Sequence, residues 1–198
     1  MKLLFSYHRD GQLHSYCLRC HSERVERCRV EGRTQYYCHD CRQLSDRWIK
    51  LDPGLQWWLD GDGEYWHESS GVFVCDGAGR FLLFQRSVFP FALTVPAGHV
   101  DVGEAPERTA GRELLEEVGL SGNLTPVITA DIVGDSCSLG ADAHRWHAYR
   151  LAVAACPAIT VREEGSDPLW LTADQALQRQ LTPPVRYMLE RHRGALSV

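Results

Sequence analysis

Gly98-His99-Val100-Asp101-Val102-Gly103-Glu104-Ala105-Pro106-Glu107-Arg108-Thr109-Ala110-Gly111-Arg112-Glu113-Leu114-Leu115-Glu116-Glu117-Val118-Gly119-Leu120 decides how this chain folds and what chemistry it can carry. It reads as a loop that feeds a short helix and stops. Pro106 and Glu107 suit a first helical turn, where an N–H can be missing and negative charge meets the helix dipole. Gly119 suits a left-handed C-terminal cap. Between them, Glu113, Glu116 and Glu117 stand at i, i+3 and i+4, so their carboxylates share one face. Leu114, Leu115 and Val118 are expected on the other side, facing a core.

Carboxylates crowded in this way repel. At about 5 Å and an effective dielectric near 20, each pair costs roughly 3 kcal/mol. No lysine stands at i+4 to dilute them, and Arg112 is the one cation placed to reach Glu116. The face makes sense as a site for divalent cations, and hard oxygen donors without His or Cys favour Mg²⁺ or Mn²⁺. The plainer alternative for an isolated E-x-x-E-E is a solvated acidic face.

The whole pattern says more. Gly98, Glu104, Arg112, Glu113, Leu114, Glu116, Glu117, Gly119 and Leu120 match, position for position, the signature box of the Nudix hydrolases, and the chain resembles that family over about residues 69–192. The resemblance implies an α/β fold, a mixed sheet sandwiched between helices, and Mg²⁺-dependent hydrolysis of a nucleoside diphosphate linked to another group. It implies that Glu116 and Glu117 are the leading metal ligands, and that Glu113 is a further ligand or orients or deprotonates the attacking water. Glu104 would support the metals directly or through water, and the Gly98 carbonyl would also face one. Arg112 holds the glutamates by salt bridge in this reading. Many members take a base from a later loop; here the acidic candidate is Arg162-Glu163-Glu164-Gly165-Ser166-Asp167, with Glu164 preferred. Arg86, closing an apolar strand, is either a phosphate contact or a surface arginine. Ala97 departs from the family, where many members carry a second glycine.

At 198 residues, 44% hydrophobic and 24% charged, with formal net charge −5, the composition is that of a soluble globular protein of one ordinary domain and a small one. No apolar run approaches a membrane span, and the apolar stretch within Met1–Asp10 is too short for a signal peptide. A cytoplasmic protein is expected, with its cysteines read for a reducing compartment.

Four of the eight cysteines form Cys17-x-x-Cys20 and, seventeen residues on, Cys38-x-x-Cys41. That is the spacing of a closed four-thiolate Zn²⁺ site, structural because no position stays open for water. One Zn²⁺ per chain is expected there, with His21, Cys28 and His39 as possible substitutes. The alternative is four unliganded thiols. A hairpin turning at Glu31-Gly32 fits between the two knuckles. Cys75, Cys137 and Cys156 read as packed or incidental. Residues 1–50 carry ten Lys or Arg against six Asp or Glu. Two negative units from a Zn(Cys)₄ centre would leave a weakly basic ribbon, too little to argue for nucleic-acid binding through counterion release.

Residues 51–68 read as an aromatic-rich linker between a ribbon of 1–50 and a domain of 69–198, with turns at Asp52-Pro53-Gly54 and Asp60-Gly61-Asp62-Gly63. Trp57, Trp58, Tyr65 and Trp66 are too many rings for a solvated tether. They are expected to pack the ribbon on the next domain or to make a subunit contact in a homodimer; stacking on a base is the sharper alternative, with Trp57, Trp66, Phe89 and Phe91 as the available rings and Trp66 and Phe91 as the substrate-binding candidates. Strands are expected at Gly71–Cys75 and Phe81–Gln85 around an Asp76-Gly77-Ala78-Gly79 turn, and at Leu124–Val133 and Trp146–Ala155, with shorter pieces at Ile159–Arg162 and Leu169–Leu171. A capping box opens a helix at Thr172, and Thr182-Pro183 opens the last one.

The expected substrate is a small nucleotide: ADP-ribose, NADH or a dinucleoside polyphosphate, cut to a nucleoside monophosphate and a second phosphorylated product. The family's NADH pyrophosphatases share an upstream four-cysteine ribbon, but their later signature is absent, since this chain reads Ser121-Gly122-Asn123-Leu124-Thr125-Pro126. The other readings are a nucleoside triphosphate pyrophosphohydrolase, a non-catalytic Nudix-fold nucleotide sensor, and an isopentenyl-diphosphate-type isomerase, whose box differs from this one.

Overall fold

In the computed structural model, which describes residues 1–162 and 164–196, the chain begins with five short strands: β1 (His14–Tyr16), β2 (Val25–Val30), β3 (Arg33–Cys38), β4 (Gln43–Ser45) and β5 (Ile49–Leu51). β2, β3 and β4 form an antiparallel meander, and β1 pairs with β5. The first turn falls at Glu31-Gly32, with φ of 49° and 79°. Two successive left-handed residues match the right-handed twist of a two-residue hairpin.

Residues 51–68 are not a tether. β6 (Trp57–Leu59) pairs antiparallel with the start of β7 (Tyr65–Asp76), so residues 57–59 and 65–68 of the expected linker lie inside the main sheet. That sheet continues through β8 (Arg80–Arg86), β9 (Leu93–Thr94) and β10 (Ala97–His99), then, after helix α1 (Pro106–Val118), β11 (Thr125–Val133), β12 (Ala143–Val153) and β13 (Gly165–Thr172). Its main path runs β11-β12-β7-β8-β13, with β6 and β10 also on β7 and β9 on β8. β12 runs parallel to β7 and the other pairs are antiparallel, so the sheet is mixed. β7 is buried along nearly its whole length, as a strand covered on both faces must be.

Helices α2 (Ala173–Leu177), α3 (Pro183–Arg191) and α4 (Arg193–Leu196) complete the chain. On one face of the sheet Phe73, Phe81 and Leu83 pack with Val185, Met188 and Leu189 of α3. On the other, Val72, Val74, Leu82 and Phe84 receive Ala110, Leu114 and Val118 of α1. This is the expected sandwich. Thr172 and Gln175 make both hydrogen bonds of the capping box, and α3 presents Val185, Met188 and Leu189 inward. No strand forms at 159–162, Glu163 lies outside the described residues, and β12 starts three residues before Trp146. No helix among the described residues is long and apolar enough to cross a membrane.

Leu115 is 51% exposed, against the expectation that it faces the core. The docking stripe of α1 follows 110, 114 and 118, and the next residue points about 100° further round. The pair gives an internal control. Leu114→Ala should cost about 2–5 kcal/mol in urea unfolding, and Leu115→Ala less than about 0.5. Equal costs would contradict this placement.

Candidate active site

The acidic face is built by a helix leaning on a strand that lacks side chains where they would collide. A Cβ at Gly98 would overlap the Glu113 carboxylate, so the glycine leaves the space that this carboxylate occupies. The Ala97 N–H donates to Glu117 Oε2 at 2.9 Å. A Cβ at Gly71, the register partner of Ala97, would lie 2.8 Å from the Ala97 methyl. The missing glycine at 97 is thus matched by a glycine on the facing strand. At the far end of α1, Gly119 takes φ 71° and closes the helix onto the carbonyls of Leu114 and Leu115.

Arg112 spreads over the box. Its Nη1 lies 2.6 Å from Glu113 Oε1 and 3.4 Å from Glu116 Oε2, and its Nη2 lies 3.1 Å from Glu104 Oε2. Thr109 Oγ1 donates to the same Glu104 oxygen at 2.7 Å. The Arg112 bond and that hydroxyl hold Glu104 below its ordinary pKa against the effect of burial. Glu116 is 60% exposed and Glu113 only 15%. Burial raises Glu113 against the pull of Arg112. Glu117, away from the guanidinium, is pushed up by burial to about 8 despite the Ala97 N–H and the charge of Arg86. A carboxylate pair raised by burial, on hard oxygen donors with Arg112 as the adjacent counter-charge, fits a divalent cation of the Mg²⁺ class.

The box opens on a cleft of about 730 Å³. Glu113, Glu116 and Glu117 line it together with Arg86, Glu164 and Asp135–Leu139. The first fifty residues supply Arg27, Tyr36, Trp48 and Lys50 to the same cleft. Tyr36 and Trp48 stack at 4.5 Å between ring centroids. Arg47 fastens that module to the β11–β12 loop, with Nε 2.8 Å from the Cys137 carbonyl and Nη2 2.6 Å from Asp142 Oδ1. Trp48 N and Lys50 N donate to the carbonyls of Ser138 and Leu139.

The NUDIX domain family matches residues 66–192. The chain belongs to the Nudix family. It is 32% identical over 93 residues to an RNA pyrophosphohydrolase of Tolumonas auensis, covering 47% of this chain and 45% of that one, so it spans less than half of that relative's length. It is 28% identical over 169 residues to a putative 8-oxo-dGTP diphosphatase 3 of Mycobacterium tuberculosis, covering 80% and 74%. Among solved structures it superposes on the NUDIX domain of Shewanella oneidensis NrtR complexed with ADP ribose, with TM-score 0.57, 20% identity and coverage of 70% and 94%. The E. coli dihydroneopterin triphosphate pyrophosphohydrolase gives TM-score 0.56, 23% identity and coverage of 63% and 93%. At these identities the structures share the fold.

Within this Nudix frame the structure gathers Gly98, Glu113, Glu116, Glu117, Arg112, Arg86 and Glu164 around one cleft, with Glu104 tied in through Arg112. Glu164 Oε1 lies 3.7 Å from Arg27 of the ribbon. Trp66 and Phe91 do not line the cleft. Trp66 is 9% exposed, bonded to Asp60 Oδ2 and stacked on Trp58. Phe91 lies under the Arg33 guanidinium, 4.4 Å from its carbon to the ring centroid. The stacked pair at the cleft is Tyr36 with Trp48, which sequence reading missed because neither belongs to the box or to the aromatic run at 57–66.

The four ribbon cysteines converge as expected. Cys17 Sγ lies 3.7 Å from Cys41 Sγ, and Cys20 Sγ 3.5 Å from Cys38 Sγ. Sulfurs on a tetrahedron with Zn–S of about 2.3 Å stand about 3.8 Å apart, so the arrangement fits Zn²⁺. Each knuckle is followed by a left-handed residue, His21 at φ 57° and Arg42 at 55°. Burial would raise the Cys38 thiol, but the N–H groups of Cys41 and Asp40 outweigh it and hold it at about 6, favouring the thiolate that zinc requires. Cys28 stands outside the cluster, its thiol donating to the Gln35 carbonyl.

Proposed function

We propose that this chain is a Mg²⁺- or Mn²⁺-dependent pyrophosphohydrolase that cleaves a nucleoside diphosphate derivative to a nucleoside monophosphate and a second phosphorylated product. ADP-ribose, NADH and dinucleoside polyphosphates are the proposed substrate class, in a cytoplasmic setting. One observation carries the reading: the box carboxylates face a cleft that also holds Arg27, Lys50, Arg86 and Arg162. Anionic groups for cations and cationic groups for phosphates around one space are what a metal-bound pyrophosphate needs.

Glu113, Glu116 and Glu117, with the Gly98 carbonyl, would hold the divalent ions, which when bound neutralise the phosphates and lower the pKa of attacking water. Glu104 and Arg112 keep the carboxylates in position. Arg86 is proposed to meet a phosphate. Glu164, at the cleft edge, is proposed to orient the water or take its proton, and the Tyr36–Trp48 pair offers a face on which a base can rest. The ribbon, as a structural zinc module, completes the wall.

A triphosphate reading stands beside this one because the relative named as an 8-oxo-dGTP diphosphatase aligns over 80% of the chain. A product-resolved panel separates them. Incubation with Mg²⁺ or Mn²⁺ should give AMP from ADP-ribose, NADH or a dinucleoside polyphosphate. Selective release of pyrophosphate from a nucleoside triphosphate would replace the first reading with the second. Tight nucleotide binding with no cleavage of either class would favour a sensor.

A further inference from the structure

Beyond the ribbon, a second set of soft and borderline donors comes together in the fold. His67, His99, Cys137 and His144 bring one donor atom each to within 4.8 Å of all the others. They come from four separate places: β7, β10, the β11–β12 loop and β12. His67 and His144 are direct register partners on the parallel strands β7 and β12, and His99 follows Gly98 on the other flank of β7. His67 is 0% exposed and His144 2%.

The distances fit a ligand shell. Cys137 Sγ lies 3.6 Å from His67 Nδ1. A tetrahedron with Zn–S of about 2.3 Å and Zn–N of about 2.05 Å has an S-to-N edge of about 3.6 Å. As a core cluster the arrangement is costly, because it leaves the buried His67 Nε2 without a hydrogen-bond partner among the described residues. Asp135, 7% exposed, places Oδ2 3.1 Å from His144 Nδ1. That is the usual position of a carboxylate behind a metal-ligating imidazole, leaving Nε2 for the ion. Arg47 and the Trp48 N–H grip the loop that carries Cys137.

We propose that His67, His99, Cys137 and His144 bind a second Zn²⁺, which pins the β11–β12 loop to the sheet beside the box. Four protein ligands close its shell, so the ion is structural. Cys137, which reads as incidental in the sequence, becomes a ligand, and the expected content rises from one zinc per chain to two.

The test uses the full chain after dialysis against a weak chelator. Elemental analysis should find about two Zn²⁺ per chain, and zinc X-ray absorption should resolve a nitrogen shell near about 2.05 Å beside sulfur near about 2.3 Å. Cys137→Ala should lose one ion and the nitrogen shell while keeping the all-sulfur centre; His99→Gln, at a ligand less buried than His67 or His144, should do the same if Cys137→Ala fails to fold. One zinc in the wild-type protein with an all-sulfur shell overturns the proposal. So does a folded Cys137→Ala protein that keeps both ions and the nitrogen shell.

Discussion

Glu117→Gln is expected to lower turnover by at least about 10²-fold and to leave the protein folded, the size of loss that follows removal of one electrostatic catalytic element. The amide keeps the shape and can still accept from the Ala97 N–H, the hydrogen bond that positions this side chain on β10. What it lacks is the charge. The same variant carries a pH signature when divalent metal is removed. The carboxyl titrates near 4.5 in ordinary surroundings and near about 8 in the fold. Between those values folding takes up a proton, so this contribution to stability is fully present below about 4.5 and is lost as pH rises through about 8. Glutamine has no such term. In chelator, the melting temperature of Glu117→Gln relative to wild type should therefore climb between about pH 5 and about pH 9. A constant difference across that range, or wild-type turnover at ordinary Mg²⁺, would sink the role given to Glu117.

Cys38→Ser is expected to release the ribbon's zinc and unfold the module around it. Structural zinc in small modules contributes on the order of 10–16 kcal/mol of apparent binding free energy at neutral pH. Residues 1–50 have little core of their own beyond Tyr16, Tyr36 and Ile49. From sequence alone the loss should stop at the ribbon. The structure extends it, because Arg27, Tyr36, Trp48 and Lys50 line the cleft. KM should rise by at least about tenfold, the equivalent of one lost charge-assisted contact, with a smaller fall in kcat since Glu113, Glu116 and Glu117 lie on α1. Steady-state kinetics with metal analysis checks this; lost zinc with an unchanged KM would show that the ribbon stands apart from substrate.

The legible parts of the chain were those whose causes are local. The box helix announces its start with Pro106, its end with Gly119 and its chemistry with three glutamates, all within one short segment. The capping box at Thr172, the turn at Glu31-Gly32 and the paired cysteine knuckles are equally self-contained. Leu115 escaped because one residue of helical rotation separates a core position from a solvent position. Residues 51–68 escaped because their turn residues belong to the ends of β6 rather than to a tether, and only pairing with Tyr65–His67 reveals it. Trp66 and Phe91 were plausible stacking rings by type, yet their neighbours Trp58 and Arg33 are set by the fold. His67, His99, Cys137 and His144 share no spacing that a reader of the sequence could find.

The parallel pairing of β7 with β12 has a consequence in time. Its register joins Trp66 to Ala143 and Asp76 to Val153, so every rung closes a loop of about 77 residues, and such distant pairings are slow to form. The ribbon's knuckles lie within Cys17–Cys41 and can capture an ion while the rest of the chain is still being made. The imidazoles of His67 and His144 meet only when the long loop has closed. On the proposal of a second zinc, the two centres would be loaded in sequence, and the second ion would report that the central sheet, and with it the cleft, has been completed.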